Sequence, residues 1–214
     1  MRDWLANSLV LVSDYRVPDP SAVWMLLQRR ADSLADLGVH HVLVYTSTTD
    51  SERVLVILGI HAHEPVRDLL RSRVFFDWFD AVGVQDLPAV FAGELVERID
   101  FDSDTHAAPP VMVCLISSIA DIGRVNSRVR DDAAIFHAAG VQRFWSFRAL
   151  DDPHEVLMLQ QVDDESTARR WLHESEDAAV WLAEAGVGAY PPVFIGCFLQ
   201  MMTIEPSGGA PPRS

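Results

Sequence analysis

Two histidines, His61 and His63, end the apolar run VLVILGIHAH. Residues i and i+2 at a strand end point to one face, so two imidazoles there could bind one divalent metal. No third ligand is visible beside them, and His40, His41 and Glu94 would serve only if the fold gathered them. The simpler reading is a strand-to-helix junction with one histidine capping the helix, because a two-residue spacing says little about metal. No metal is expected, and His61 and His63 stand as the candidates if one binds.

A second chemistry needs an aromatic pocket, a donor for an ionised phenolic ligand and a group to take its proton. Tyr15, Arg16, Tyr45, Trp145 and Arg148 fall in strand-like runs that could line such a pocket. Strand alternation puts Trp145 and Phe147 on one face and Ser146 and Arg148 on the other. His173 lies two residues after Trp171 on a helix and could act as a general base. Tyr45, Arg148 and His173 are therefore the catalytic candidates. The competing reading makes the aromatics core, the arginines solvent-reaching and His173 an exposed helix residue beside Glu174 and Glu176.

Phe75, Phe76, Trp78 and Phe79 occupy too many helical directions for one inward stripe. Some of them must face a cavity, another subunit or solvent. Phe75, Phe76, Trp78, Trp145 and Trp181 are the ligand-binding candidates, and the same helix could form a homodimer contact. The chain has no Walker loop, Rossmann glycine fingerprint, HExxH or nucleophile elbow. Paired acids such as Asp131-Asp132 and Asp151-Asp152 read as caps and turns, since neighbouring residues do not face each other.

The elements that must position these groups come from one module written twice. Gly38-Val39 recurs as Gly140-Val141, and Val54-Leu55 as Val156-Leu157, all 102 residues apart. After a one-residue insertion the spacing is 103, and Trp78/Trp181, Gly83/Gly186, Phe91/Phe194 and Gly93/Gly196 coincide. Each copy reads βαββαβ. In the first, a strand over 9–16 leads to a helix capped by Asp19 with Pro20 at its first position and closed by Gly38. Strands near 41–47 and 53–61, a helix from about 63 to 83 and a strand over 89–98 complete it. In the second, the strands are 111–117, 142–149, 155–162 and 193–203, with helices from Asp121 to Gly140 and from Glu165 to Ala185. His173 has Leu70 as its counterpart, so a site in only one copy is reasonable.

A βαββαβ unit is the split βαβ, ferredoxin-like plait, an antiparallel sheet with two helices on one face. Strands such as VLVILGI and VFIGCFL are apolar almost continuously, which implies burial on both faces. The expected architecture is α+β: two tandem plaits whose sheets pack face to face into a barrel, helices outward. Repeat 1 spans 1–101, a linker 102–110, repeat 2 spans 111–205, and 206–214 is a Gly/Pro/Ser tail. Cys114 and Cys197 fall on strands expected to be neighbours and are expected as buried thiols, not a disulfide.

At 214 residues, 49% of them hydrophobic, the chain can bury a large core. A formal charge of −14 argues against nucleic acid and anionic lipid, which need clustered Lys and Arg. Arg2 and Asp3 precede only a short apolar run, so neither a signal peptide nor a membrane span is expected and the location is read as cytoplasmic.

Two plaits closed into a barrel, with Ser72 and Trp78 (or Ser175 and Trp181) on a helix before a Gly-Val turn, resemble the dimeric α+β barrel superfamily. Its members include antibiotic-biosynthesis-type monooxygenases, EthD-like proteins, IsdG-like heme oxygenases and chlorite dismutases. ESTARRWLHESEDAAVWLAEAG is the most family-like segment, and LLRSRVFFDWFDAVGV resembles uncharacterised actinobacterial chains. Many relatives are homodimers of one plait; this chain resembles a fused pair. The resemblance implies binding of an apolar or aromatic small molecule, with cofactor-independent monooxygenase-type activity as its enzymatic form. It also makes His173 a candidate axial heme ligand. An IsdG-type enzyme is expected to carry an Asn early in its first strand, and LVLVSDYR and VMVCLISS have none, so no cofactor is expected. The alternatives that stay open are a noncatalytic barrel acting through self-association and a heme or metal protein.

Overall fold

A computed structural model describes residues 9–61, 66, 67, 70, 73–101, 109–174, 180, 181, 183 and 193–205; for 73–76, 173 and 174 it describes the backbone alone. The first copy runs β1 (Leu9–Arg16), α1 (Pro20–Arg29), α2 (Ala31–Asp36), β2 (Val39–Ser47), β3 (Arg53–Ile60), α3 (Arg73–Val82) and β4 (Ala89–Asp100). The second runs β5 (Val111–Ser118), α4 (Ile122–Asp131), α5 (Ala133–Ala138), β6 (Val141–Ala149), β7 (Glu155–Val162), α6 (Glu165–Arg169), a π-helical turn over Arg170–Glu174 and β8 (Val193–Thr203). The linker core 102–108 and the tail 206–214 lie outside the described residues.

Local chemistry explains the helix ends. Asp19 Oδ1 accepts a hydrogen bond from the Ser21 N–H at 2.9 Å, and Asp121 Oδ1 accepts one from the Arg124 N–H at 3.1 Å. Both caps satisfy first-turn amides that have no partner within the helix. Gly38 and Gly140 both take φ 75°, the left-handed conformation that stops a helix without a Cβ penalty. Each first helix was expected to be continuous but is two. At Arg30 the N–H reaches the carbonyls of both Leu26 (3.0 Å) and Leu27 (3.2 Å), tightening the turn before α2 begins. The same break falls at Asp132, between α4 and α5.

Every ladder is antiparallel, and the described strands close in the order β1-β3-β2-β8-β5-β7-β6-β4. The two four-stranded sheets do not stack as separate layers. They join edge to edge, β2 to β8 and β4 to β6, so every strand edge finds a partner and the barrel has no free edge. The chain therefore has the fold recognised from its sequence, a tandem ferredoxin-like α+β barrel.

Alternation along the strands separates three cores. Val10, Val12, Leu43, Tyr45, Phe91, Trp145, Phe147 and Phe194 fill the barrel interior. The opposite faces of the same strands pack under the helices, Leu11, Tyr15, Val56 and Leu58 in the first copy and Val113, Leu115, Phe144 and Met158 in the second. Cys114 and Cys197 lie on the paired strands β5 and β8 but face opposite ways: Cys114 is buried in the interior, and Cys197 is partly exposed on the helix side.

Both seams carry the same device. A Cβ on Gly93 would stand 2.5 Å from the Phe91 ring and from the Arg148 carbonyl oxygen, and one on Gly196 would overlap the Phe194 ring and stand 3.0 Å from the Thr46 oxygen. Each Phe-x-Gly thus folds an interior ring over its own glycine where the two repeats meet.

Candidate functional site

The helix side of the first copy is incompletely filled. A cavity of about 230 Å³ lies between its sheet and its helices. Leu11 and Ser13 on β1 and Val56 and Leu58 on β3 form the floor. Leu26, Leu34 and Leu37 come from α1, α2 and the residue after it, and Trp78 and Ala81 from α3. Ser13 is paired with Val56 and Leu11 with Leu58, so the floor is one patch of two adjacent strands. Arg30, Ser33 and Asp77 supply the polar lining. Tyr15 lies behind this wall, its ring edge-on to Phe79 with centroids 5.3 Å apart. Burial pushes its phenol well above the ordinary value, with Trp78 opposing the shift. The cavity is small for a ligand site, and its balance of apolar walls with a few polar groups is that of one.

In the second copy the place beside the matching tryptophan is filled by a side chain, although a separate cavity of about 400 Å³ opens next to it, lined by Ile135, Ala139, Thr167, Arg170 and Trp171. Phe136 stands on α5 where Leu34 stands on α2, and it is fully buried. Its ring centroid is 5.3 Å from Trp181 at 87°, 5.3 Å from Trp171, 6.3 Å from Phe144 and 5.5 Å from Phe101. Trp171 Nε1 donates to Gln160 Oε1 at 3.1 Å, which fixes the indole against the sheet. Leu115 takes the position of Ser13 and Phe144 that of Val42.

The sequence-derived candidates are distributed over four surroundings. Trp78 lines the cavity, and Trp181 is buried against Phe136. Tyr45 and Trp145 are fully buried inside the barrel, away from both helix layers. The Tyr45 hydroxyl has no hydrogen-bond partner among the described residues, and burial pushes its phenol far up. Arg148 is exposed on β6, opposite Glu94 of β4. The backbone at His173 belongs to the π-helical turn, but its side chain lies outside what is described, as do the side chains of Phe75 and Phe76 and the whole of His63. Tyr45, Arg148 and Trp78 are not brought together.

The fold does gather His40, His41 and His61. A bulge in the β2–β3 ladder at His40 brings the rings of His40 and His41 together, with Nδ1 atoms 2.5 Å apart. The exposed His61 stacks on His40 at 4.1 Å. Burial, then the charges of His61 and His41, push the His40 imidazole down to about 4, and burial followed by His61 lowers His41. Among the described residues no group of three or more His, Cys, Asp or Glu side chains is arranged to hold a metal ion.

The described lining residues include no His, Cys, Met or Tyr that could supply an axial ligand, so the cavity does not fit a heme. Ser13, Arg30, Ser33, Leu34 and Asp77 also line the cavity and are not among the candidates drawn from the sequence. Their signal was present as differences between the copies, Ser13 against Leu115 and Leu34 against Phe136.

No family model matches the sequence, and no curated protein matches it. Solved structures do match in fold. An anthrone oxidase-like protein superposes with a TM-score of 0.70 at 11% identity, over 95% of this chain and 97% of that one. A monooxygenase-like protein from Listeria innocua gives 0.53 at 8% identity, over 94% and 99%. A heme-degrading enzyme from Listeria monocytogenes gives 0.53 at 11%, over 89% and 99%. Each covers nearly both copies, and at these identities the likeness is one of fold.

Proposed function

We propose that the chain binds an apolar or aromatic small molecule in the helix-side cavity of the first repeat, with monooxygenase-type chemistry on that molecule as its enzymatic form. The observation that carries this reading is the cavity itself: Leu11, Leu34, Leu58 and Trp78 surround the space, with Arg30, Ser33, Ser13 and Asp77 among the lining groups. A ring enters the apolar walls, while Arg30 and the serines meet an oxygen substituent and Asp77 is the carboxylate able to take its proton. The fold shared with proteins described as monooxygenase-like and anthrone oxidase-like supports the oxygenase form. Dioxygen is the oxidant: one of its oxygen atoms becomes a new ring carbonyl, the other leaves as water, and the phenol, oxidised to a quinone, supplies all four electrons.

Calorimetric titration with a panel of naphthols tests binding. Trp78→Ala and Arg30→Ala are expected to weaken it roughly tenfold or more, as loss of an aromatic wall or of a charged hydrogen bond does. Oxygen uptake by the same complexes, without added cofactor, tests the chemistry. A second reading, a noncatalytic barrel that self-associates, draws on the filled barrel interior. Sedimentation equilibrium over a wide concentration range tests it, with a concentration-independent monomer counting against it.

A further inference from the structure

We infer that the second repeat is a self-filled copy of the first repeat's site, that the ligand's ring takes the place Phe136 fills, and that Leu34 keeps that place open and sets the specificity. This rests on the ligand-binding reading above and adds to it where the ring sits, how it is oriented and how many bind.

The two places are equivalent by chain and by space. α1 and α4, and α2 and α5, have boundaries offset by 102 residues throughout, so Leu34 and Phe136 are the fourth residues of matching helices. The floors match too, because Ser13 pairs with Val56 as Leu115 pairs with Met158. Trp78 and Trp181 are the wall in each copy. Around Phe136 that wall is met edge-on at 5.3 Å and 87°, a favoured geometry for two aromatic rings. In the first copy Trp78 is half-buried and borders empty volume instead.

At two lining positions side-chain volume is withdrawn, Leu34 for Phe136 and Ser13 for Leu115, and Val42 replaces Phe144 on the neighbouring strand; Leu11 for Val113 and Leu37 for Ala139 return less than these remove. Protein interiors are close-packed, and a void of this size is uncommon unless something fills it. The polar groups are also rearranged: Ser13 replaces Leu115 and Leu58 replaces Gln160 on the floor, while Ser33 replaces Ile135 at the exposed rim. The site therefore takes a flat aromatic ring bearing an oxygen, edge-on to Trp78, one per chain. In the second repeat Phe136 already holds the matching place against Trp181, so no ring takes that place.

The test uses the full-length protein, with 2-naphthol and its saturated analogue decahydro-2-naphthol as probes. One 2-naphthol per chain is expected, with the saturated alcohol roughly tenfold weaker because it lacks the edge-on contact. Leu34→Phe, which restores the second repeat's residue, is expected to raise the melting midpoint by about 2–4 °C and to abolish naphthol binding. Ser13→Leu is the second variant, expected to weaken binding at least tenfold if Leu34→Phe folds poorly. Phe136→Leu is expected to leave naphthol affinity within twofold.

Failure of both probes to bind the unaltered protein overturns the functional reading itself. Equal binding of the two probes leaves that reading standing and overturns the ring. A stabilised Leu34→Phe, or a folded Ser13→Leu, that binds normally overturns the location, as does loss of binding in Phe136→Leu.

Discussion

Leu34 and Phe136 stand in the same place on two copies of one helix, each four residues before the glycine that ends it; Phe136 is fully buried among aromatic rings, and Leu34 borders a cavity. The pair measures how the repeats have diverged: one copy spends its helix–sheet gap on its own aromatic core, and the other leaves that gap lined by Trp78, Ser13 and Arg30.

Truncation should therefore act unequally. Phe136→Ala removes a ring contacted by Trp171, Trp181, Phe144 and Phe101, and is expected to cost about 3–5 kcal/mol in urea denaturation. Leu34→Ala, beside an existing cavity, should cost about 2–3 kcal/mol, at the low end for a core leucine. Equal costs would mean that the two surroundings are equally packed.

The seam glycines give a second expectation. Gly93→Ala and Gly196→Ala each drive a methyl into an interior phenylalanine ring and toward the carbonyl of the partner strand. Each should lose about 1–3 kcal/mol, the usual cost of overpacking. Pairing Gly93→Ala with Phe91→Leu should recover part of the loss, because the obstructing ring is then gone.

The histidine cluster predicts an acid limb. His40 is held at about 4 in the fold against 6.5 for the ordinary imidazole, so between those values the unfolded chain binds more protons than the folded one. Stability is complete above about pH 6.5 and falls as pH drops toward 4. Asp19, Asp100 and Asp164 are lowered below the usual carboxylate value and add their own losses at still lower pH. Denaturation midpoints of His40→Gln should be flatter than those of the unaltered protein between pH 6.5 and 4.5; an unchanged slope would remove His40 from the account.

Most of the fold was legible in the sequence, for identifiable reasons. Apolar strands bounded by Asp19-Pro20, Gly38, Asp121 and Gly140 are local signals, and an internal repeat states the topology twice. The breaks at Arg30 and Asp132 were not legible, because a one-residue tightening leaves the apolar period intact. Edge-to-edge closure was not distinguished from stacked sheets, since both bury two faces of each strand. The site was harder to read. Tyr45, Trp145 and Arg148 have the residue types a phenol pocket needs, but strand parity puts two of them inside the barrel and one on its surface. A cavity depends on what side chains fail to fill, and that shows only when Leu34 and Ser13 are compared with Phe136 and Leu115.

The central claim, that the first repeat holds the ligand, is tested most directly by following the indole N–H signals of the six tryptophans by NMR while 2-naphthol is added. The account predicts that the Trp78 signal shifts and saturates at one equivalent while those of Trp181 and Trp145 stay in place. A saturating shift at Trp181 or Trp145 with Trp78 unmoved would contradict it.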